Sequence, residues 1–314
     1  IKLTKYDDYS PREEERSGFV GKKEALVDNV YYYIVTDSAT RLAGLQTGEY
    51  HLTDSMPYDN YEQIASLPNA EAHVFNDGSL NMFYNKKEGL MSDPKMRQMV
   101  NAAIESDSVM RASFASEDLY TIDNSFMNPE QVTWASDAGK ESYNQNDPER
   151  VKELAEEAGY NGETIRLLAT RDYDHHYNAS IVVKEQLEQA GLTVSLDIFD
   201  WPTLLDNRED PTKWDIFFTG TGYVTTPSQL LALNSSYAGW TNDPKIDELL
   251  GEVRASLSQE EAKEKWDELQ AFMWNDYLPA TLFGHYTRIV GASDKLEGFE
   301  AFEGIIPWGV SIKE

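Results

Sequence analysis

Hydrophobic and polar positions along the 314-residue chain alternate between two periods. Residues 30–35 (Val-Tyr-Tyr-Tyr-Ile-Val) are β-branched and aromatic, which predicts a strand. Ser38 offers a cap for a short helix over 41–47, stopped by Gly48. Residues 73–75 and 80–84 read as strands separated by Asn76-Asp77-Gly78, a hairpin-type turn. Three helices are announced by Asp-Pro, at Asp93-Pro94, Asp147-Pro148 and Asp243-Pro244. The aspartate caps unpaired N–H groups, and proline at the first helical position gives up no bond. Behind these starts, Met96, Met99, Val100, Ala103 and Ile104, then Val151, Leu154, Ala155 and Ala158, then Ile246, Leu249, Leu250 and Val253, recur at helical spacing. A strand at 164–169, a helix at about 174–190 stopped by Gly191, and a strand at 192–199 make a βαβ unit, whose strands must run parallel. A strand at 214–218, a helix carrying Ala262, Trp266, Leu269 and Met273 on one face, and an extended stretch at 282–290 follow. The class is α/β, with no internal repeat.

Composition narrows what such a fold can do. With 40% hydrophobic and 12% aromatic residues, the chain can bury a sizeable core. Lys and Arg number 27 against 55 Asp and Glu, a net charge of −28 that repels phosphate backbones and anionic lipid headgroups, so no nucleic-acid partner is expected. The lack of cysteine removes disulfides, thiolate catalysis and cysteine metal sites. No apolar run approaches the roughly 18–20 residues that span a bilayer. Ile1-Lys2-Leu3 runs straight into polar sequence, as in a processed or excised chain.

Catalytic signatures are scarce. There is no Gly-x-Ser-x-Gly elbow, His-Glu-x-x-His pair or phosphate loop. Gly220-Thr221-Gly222 follows a strand, but the third glycine of a dinucleotide fingerprint is missing and Pro227 stands near the required helix start, so a plain loop is favoured and no cofactor is expected. Adjacent His175 and His176 would point about 100° apart on a helix, a poor chelate, so no metal site is expected and His176 reads as solvated. Paired carboxylates for glycoside hydrolysis stay open, on abundance alone.

Four segments in order carry a more specific signal. Asp37-Ser38-Ala39-Thr40-Arg41-Leu42-Ala43-Gly44-Leu45-Gln46-Thr47-Gly48-Glu49-Tyr50-His51 forms a helix and turn. Asn85 is followed by Asp93-Pro94-Lys95-Met96-Arg97-Gln98-Met99-Val100-Asn101-Ala102-Ala103-Ile104-Glu105. Residues 146–160 and 184–201 complete the set. In this order the chain resembles the large solute-binding proteins that feed peptide and nickel ABC importers, with His51 in place of a usual Asp.

The resemblance implies a bilobal binding-protein fold, two α/β lobes joined by two crossing strands with the ligand at the cleft. It puts residues 1–84 and 282–314 in a partial first lobe and 85–281 in a nearly whole second lobe, and it implies weak or no affinity for a chain lacking the family's N-terminal part. It further implies a non-catalytic monomer that captures a peptide or peptide-like solute for a membrane permease, outside the cytoplasmic membrane and lipid-anchored through the missing N-terminus. Rival solutes within the family are metal chelates and oligosaccharides.

Ligands of open α/β sheets bind beyond the carboxyl ends of strands, in the loops after residues 169, 199 and 218. The family's oligopeptide binders keep a His, a Trp and an Arg at the spacing of His175, Trp201 and Arg208. Arg208 could grip a carboxylate through paired hydrogen bonds, Trp201 could wall a pocket, and His175 could contact a carboxylate or cap its helix. Tyr223, Thr225 and Thr226 suit hydroxyls or amides. Phe283 and His285 are further candidates on the returning strand, where alternation lets one face point to a ligand. The family's usual acid for an α-ammonium is missing from the loop 220–227.

Overall fold

A computed structural model describes residues 1–300, 302 and 304–313. Along the chain run β1 (Lys2–Thr4), β2 (Asn29–Tyr31), α1 (Ser38–Thr47), β3 (Leu52–Thr53), α2 (Tyr61–Ala65) and the long β4 (Ala70–Tyr84). Then come α3 (Pro94–Ala102), α4 (Ser106–Ser113), β5 (Tyr120–Thr121) and α5 (Pro148–Ala158). β6 (Ile165–Thr170), α6 (Asp174–Gln189), β7 (Val194–Phe199), α7 (Trp201–Arg208) and β8 (Ile216–Gly222) form an alternating block. α8 (Pro244–Ala255), α9 (Gln259–Phe272), β9 (Ala280–Ser293), β10 (Leu296–Glu297) and β11 (Ser311–Ile312) close the chain.

The chain divides into two compact units, Ile1–Asp77 with Thr287–Glu314, and Gly78–Tyr286. β4 and β9 each begin in one unit and end in the other. The boundaries expected from the sequence, 84/85 and 281/282, lie several residues inside the second unit. The difference has a physical cause. The second half of β4 and the first half of β9 are hydrogen-bonded into the sheet of the second unit, as Gly78 to Tyr84 on β8 and His285 and Tyr286 on β5 show, so they belong to what they pair with.

In the second unit the strand order is β9-β4-β8-β6-β7, with β5 on β9. β6 lies between β7 and β8 and is parallel to both, the pairing with β7 being the one the βαβ pattern predicts, while β4 runs antiparallel to β8. The three Asp-Pro helices begin where expected. Asp93, Asp147 and Asp243 each accept a backbone N–H in the first turn, from Lys95, Glu149 and Lys245 at 2.8–3.1 Å. Gly159 ends α5 in the left-handed conformation, a cap that a side chain would strain.

Core aromatics hold the block that carries the site. Trp214 is fully buried, its ring 5.0 Å from Phe217 and 5.7 Å from Trp240, and its Nε1 donates to the Arg208 carbonyl at 3.0 Å. Phe83, Leu168, Leu204 and Ala280 pack with it, so α7 is anchored at both its middle and its end. Arg97 is buried, yet its guanidinium donates to the carbonyls of Met91, Ser92, Tyr277 and Leu278, which makes the burial tolerable.

Three sequence expectations fail. Residues 76–78 make no hairpin, because β4 runs unbroken through them. Asp77 binds Arg288 at 3.1 Å, and Gly78 approaches the Thr221 carbonyl so closely that a Cβ would sit 2.1 Å from it. Cross-strand pairing outweighs local turn chemistry. The expected strand at 30–35 shrinks to Asn29–Tyr31, since among the described residues it pairs with the three-residue β1 alone, and Tyr33 and Ile34 lie exposed. The cap of α1 is Asp37, whose side chain accepts the Thr40 N–H at 2.7 Å, in place of Ser38.

Candidate functional site

The carboxyl ends of β6, β7 and β8 point the same way, and each delivers a segment to one place in the second unit. After β6, Tyr173 precedes α6 and His175 and His176 occupy its first turn. After β7, Asp200 caps α7 by accepting the Thr203 N–H at 2.8 Å, while Asp172 accepts the Trp201 N–H at 2.7 Å. That second bond ties the two loops together. Trp201, read from sequence as a loop residue, is therefore the first residue of a helix; Asp200 and Pro202 are its cap and early-proline signal.

The rings meet. Tyr173 lies 5.1 Å from Trp201, edge to face, and 5.1 Å from His176. His175 lies 4.4 Å from His176, 5.3 Å from Tyr286 and 5.8 Å from Phe114, on which it stacks. Edge-to-face and offset pairs of this kind each contribute about 0.5–1.5 kcal/mol beyond area burial. His175 and Trp201 are thus brought together through Tyr173 and His176, two residues the sequence reading did not nominate.

His176 corrects that reading outright. It is buried, not solvated, and its Nε2 accepts the Gly220 N–H at 2.7 Å. Accepting at Nε2 puts the proton on Nδ1. The bond joins the start of α6 to β8, at a glycine with almost no room above it: a Cβ on Gly220 would lie 2.4 Å from the Tyr286 hydroxyl and 3.3 Å from His176 Nε2.

Burial holds both histidines neutral, with His175 pushed down to about 4 and His176 well below its usual range, the latter also by His175 beside it. An unfolded histidine titrates near 6.5, so the unfolded chain takes up these protons first as pH falls. The stability they support is complete above pH 6.5 and is lost downward through about pH 4. The expected slope is about 1.4 kcal/mol per pH unit for each proton taken up. Denaturant unfolding of the wild type and of a His175→Gln/His176→Gln double variant, from pH 7 to 4.5, checks this. The wild type should lose stability more steeply, and parallel curves would contradict it.

The other candidates spread over neighbouring positions. Arg208, at the end of α7, donates to the Tyr237 hydroxyl at 3.2 Å, stacks 5.0 Å over that ring and pairs with Glu209 at 3.2 Å. Thr225 and Thr226 are exposed, and the Gln229 side-chain carbonyl accepts both their N–H groups and the Thr225 hydroxyl at 2.9–3.1 Å, which stiffens the loop. Gln131 steadies it again by donating to the Val224 carbonyl at 2.8 Å. Phe283 is fully buried and stacks on Phe218 at 6.4 Å, a core position that offers a ligand no surface. His285, two residues on, is buried and engages the Ser125 carbonyl at 2.8 Å.

Next to this loop is a pocket lined by Gly78, Ser79, Phe126, Asn128, Thr221, Gly222, Tyr223, Val224, Leu230 and His285. Ser79 and Thr221 share a hydrogen bond of 2.9 Å, and Asn81 donates to both hydroxyls. Nothing in the sequence marked Ser79 or Asn128, because Ser79 is placed by the pairing of β4 with β8 and Asn128 by the fold of the loop that carries it. Among the described residues, no three His, Asp or Glu side chains converge as metal ligands, and no helix is long and apolar enough to cross a membrane.

Comparison with known proteins gives this arrangement its context. The sequence model of the bacterial extracellular solute-binding proteins, family 5 (middle region) matches residues 1–242. A probable peptide ABC transporter periplasmic-binding protein, y4tO of Sinorhizobium fredii, is 30% identical over 298 residues, 88% of this chain and 55% of that protein. Among solved structures, AgaA of A. tumefaciens R10 in complex with agropinic acid superposes with a TM-score of 0.81 at 22% identity, covering 100% of this chain and 64% of that one. DppA of Helicobacter pylori in complex with the peptide STSA gives 0.79 at 19% identity, covering 100% and 60%. The chain spans about half to two thirds of the length of these relatives. By sequence over most of its length and by fold over all of it, the chain belongs to the family 5 bacterial extracellular solute-binding proteins.

Proposed function

We propose that this chain carries the solute-contacting lobe of an ABC importer's binding protein, and that its solute is a peptide or a peptide-like molecule. It works outside the cytoplasmic membrane, performs no chemistry on the solute, and hands it to a membrane permease. The observation that carries this reading is the convergence of Tyr173, His175, Trp201 and Tyr286 at the strand ends, with Arg208 on the helix that Trp201 begins. Flat rings on a rigid frame accept varied side chains at small entropic cost, and a guanidinium recognises a carboxylate. The names of relatives that bind peptides point the same way. Tyr223, Thr225, Thr226 and His285 complete the polar side of the site.

Ligand-observed NMR reads affinities down to the millimolar range. Saturation transfer should reach short peptides from a panel that also holds oligosaccharides and nickel chelates. Transfer to sugars or chelates alone would remove the peptide reading. Turnover of chromogenic glycosides, abolished by a single carboxylate substitution, would replace binding with hydrolysis.

A further inference from the structure

In the first unit, β1 and β2 form a sheet of two strands that keeps apolar side chains in solvent. Two strands by themselves are marginal in water, and added strands are what make such a sheet hold. Ile1, Tyr33 and Ile34 are 80%, 69% and 89% exposed. Tyr31 stacks on Tyr33 at 6.3 Å and Tyr33 on Tyr50 at 6.2 Å, so one face is a row of rings. Ile1 and Tyr32 exchange both main-chain hydrogen bonds at 2.8 Å. Antiparallel pairing turns alternate residues to opposite edges, so the N–H and C=O groups of Tyr31 and Tyr33 face away from β1. Among the described residues, nothing pairs with that edge.

Open edges in natural proteins are blunted by lysine, proline or a bulge. β1 follows that rule with Lys2, and Lys5 stands just past it, whereas residues 30–35 hold no charge, no proline and no glycine. That is the composition of segments that pair with copies of themselves. Charge singles out the same place. Residues 1–36 hold six Lys and Arg against seven Asp and Glu, a net of −1, while the rest of the chain carries −27. Two copies therefore repel least where this ribbon meets its own image. We infer that the open edge of β2 is a self-association surface, on which two copies of this chain pair antiparallel along residues 31–34 into one sheet of four strands. The contact closes as a two-fold pair, because each copy brings one open edge and the same edge completes it. This departs from the monomer that the family resemblance implies.

Sedimentation velocity on the full chain at physiological salt should show a dimer that grows with protein concentration and stops there. Tyr33→Pro removes the outward N–H from an exposed position and should weaken dimerisation at least tenfold. Leu257→Lys, at a similarly exposed residue of the second unit, should leave it unchanged. A second measurement reads the place of contact without removing any edge group. The chain has no cysteine, so a nitroxide on Ile34→Cys reports that position alone. Dipolar broadening should appear on dimerisation at Ile34→Cys and not at Leu257→Cys. A monomer at every concentration, growth past the dimer, unweakened dimerisation in Tyr33→Pro, equal weakening in Leu257→Lys, or a dimer without broadening at Ile34→Cys would each overturn the proposal.

Discussion

Trp214→Ala should destabilise the second unit by about 3–5 kcal/mol, the range for removing a large buried aromatic side chain. Two losses combine. The ring leaves a cavity between Phe217 and Trp240, and the Arg208 carbonyl loses the indole N–H at 3.0 Å. The damage falls on α7, which presents Trp201 at one end and Arg208 at the other, so solute affinity should fall with stability. Urea unfolding followed by near-UV circular dichroism reads the effect. Trp214→Phe, which keeps most of the volume, should recover the larger share. A Trp214→Ala loss below about 1 kcal/mol, within the reach of an ordinary surface change, would mean that this packing does not hold the helix.

Gly220→Val is the second large effect, and it acts on the site directly. Even a methyl group would stand 2.4 Å from the Tyr286 hydroxyl and 3.3 Å from His176 Nε2, so both rings must move. Overpacking of this kind typically costs about 1–3 kcal/mol. His176 would lose its acceptor geometry toward the Gly220 N–H, and His175, 4.4 Å away, would follow. Solute binding should drop below detection while the folded fraction stays high. Retained affinity would separate the ring cluster from the binding surface. Gly251→Val on α8 serves as the control, because nothing lies within 4 Å of the Cβ it adds.

What the sequence disclosed and what it hid follow from the range of the forces involved. Asp93-Pro94, Asp147-Pro148 and Asp243-Pro244 mark helix starts because a cap is a bond between residues two or three apart. The parallel β6–α6–β7 unit was legible for a similar reason, since periodicity and a glycine stop are local. Asn76-Asp77-Gly78 misled because its turn propensity lost to Arg288 and to β8, both far away in sequence. His176 misled in the same way: its polarity predicted solvent, whereas its environment is set by Gly220, Tyr173 and Trp201. Asp200-Trp201-Pro202 was a local signal passed over. The burial of Phe283 could not be read, because a strand's alternation does not say which face meets the core.

The central claim is that solute is met at the strand ends around Trp201. The seven indole N–H resonances of this chain test it in one titration with the best-binding peptide. Three of them are internal references, because the indoles of Trp214, Trp266 and Trp274 donate to the carbonyls of Arg208, Trp134 and Asn124. The account predicts a saturable shift of the Trp201 indole, assigned through Trp201→Phe, with these three nearly still. A saturable titration that leaves Trp201 unmoved would contradict it.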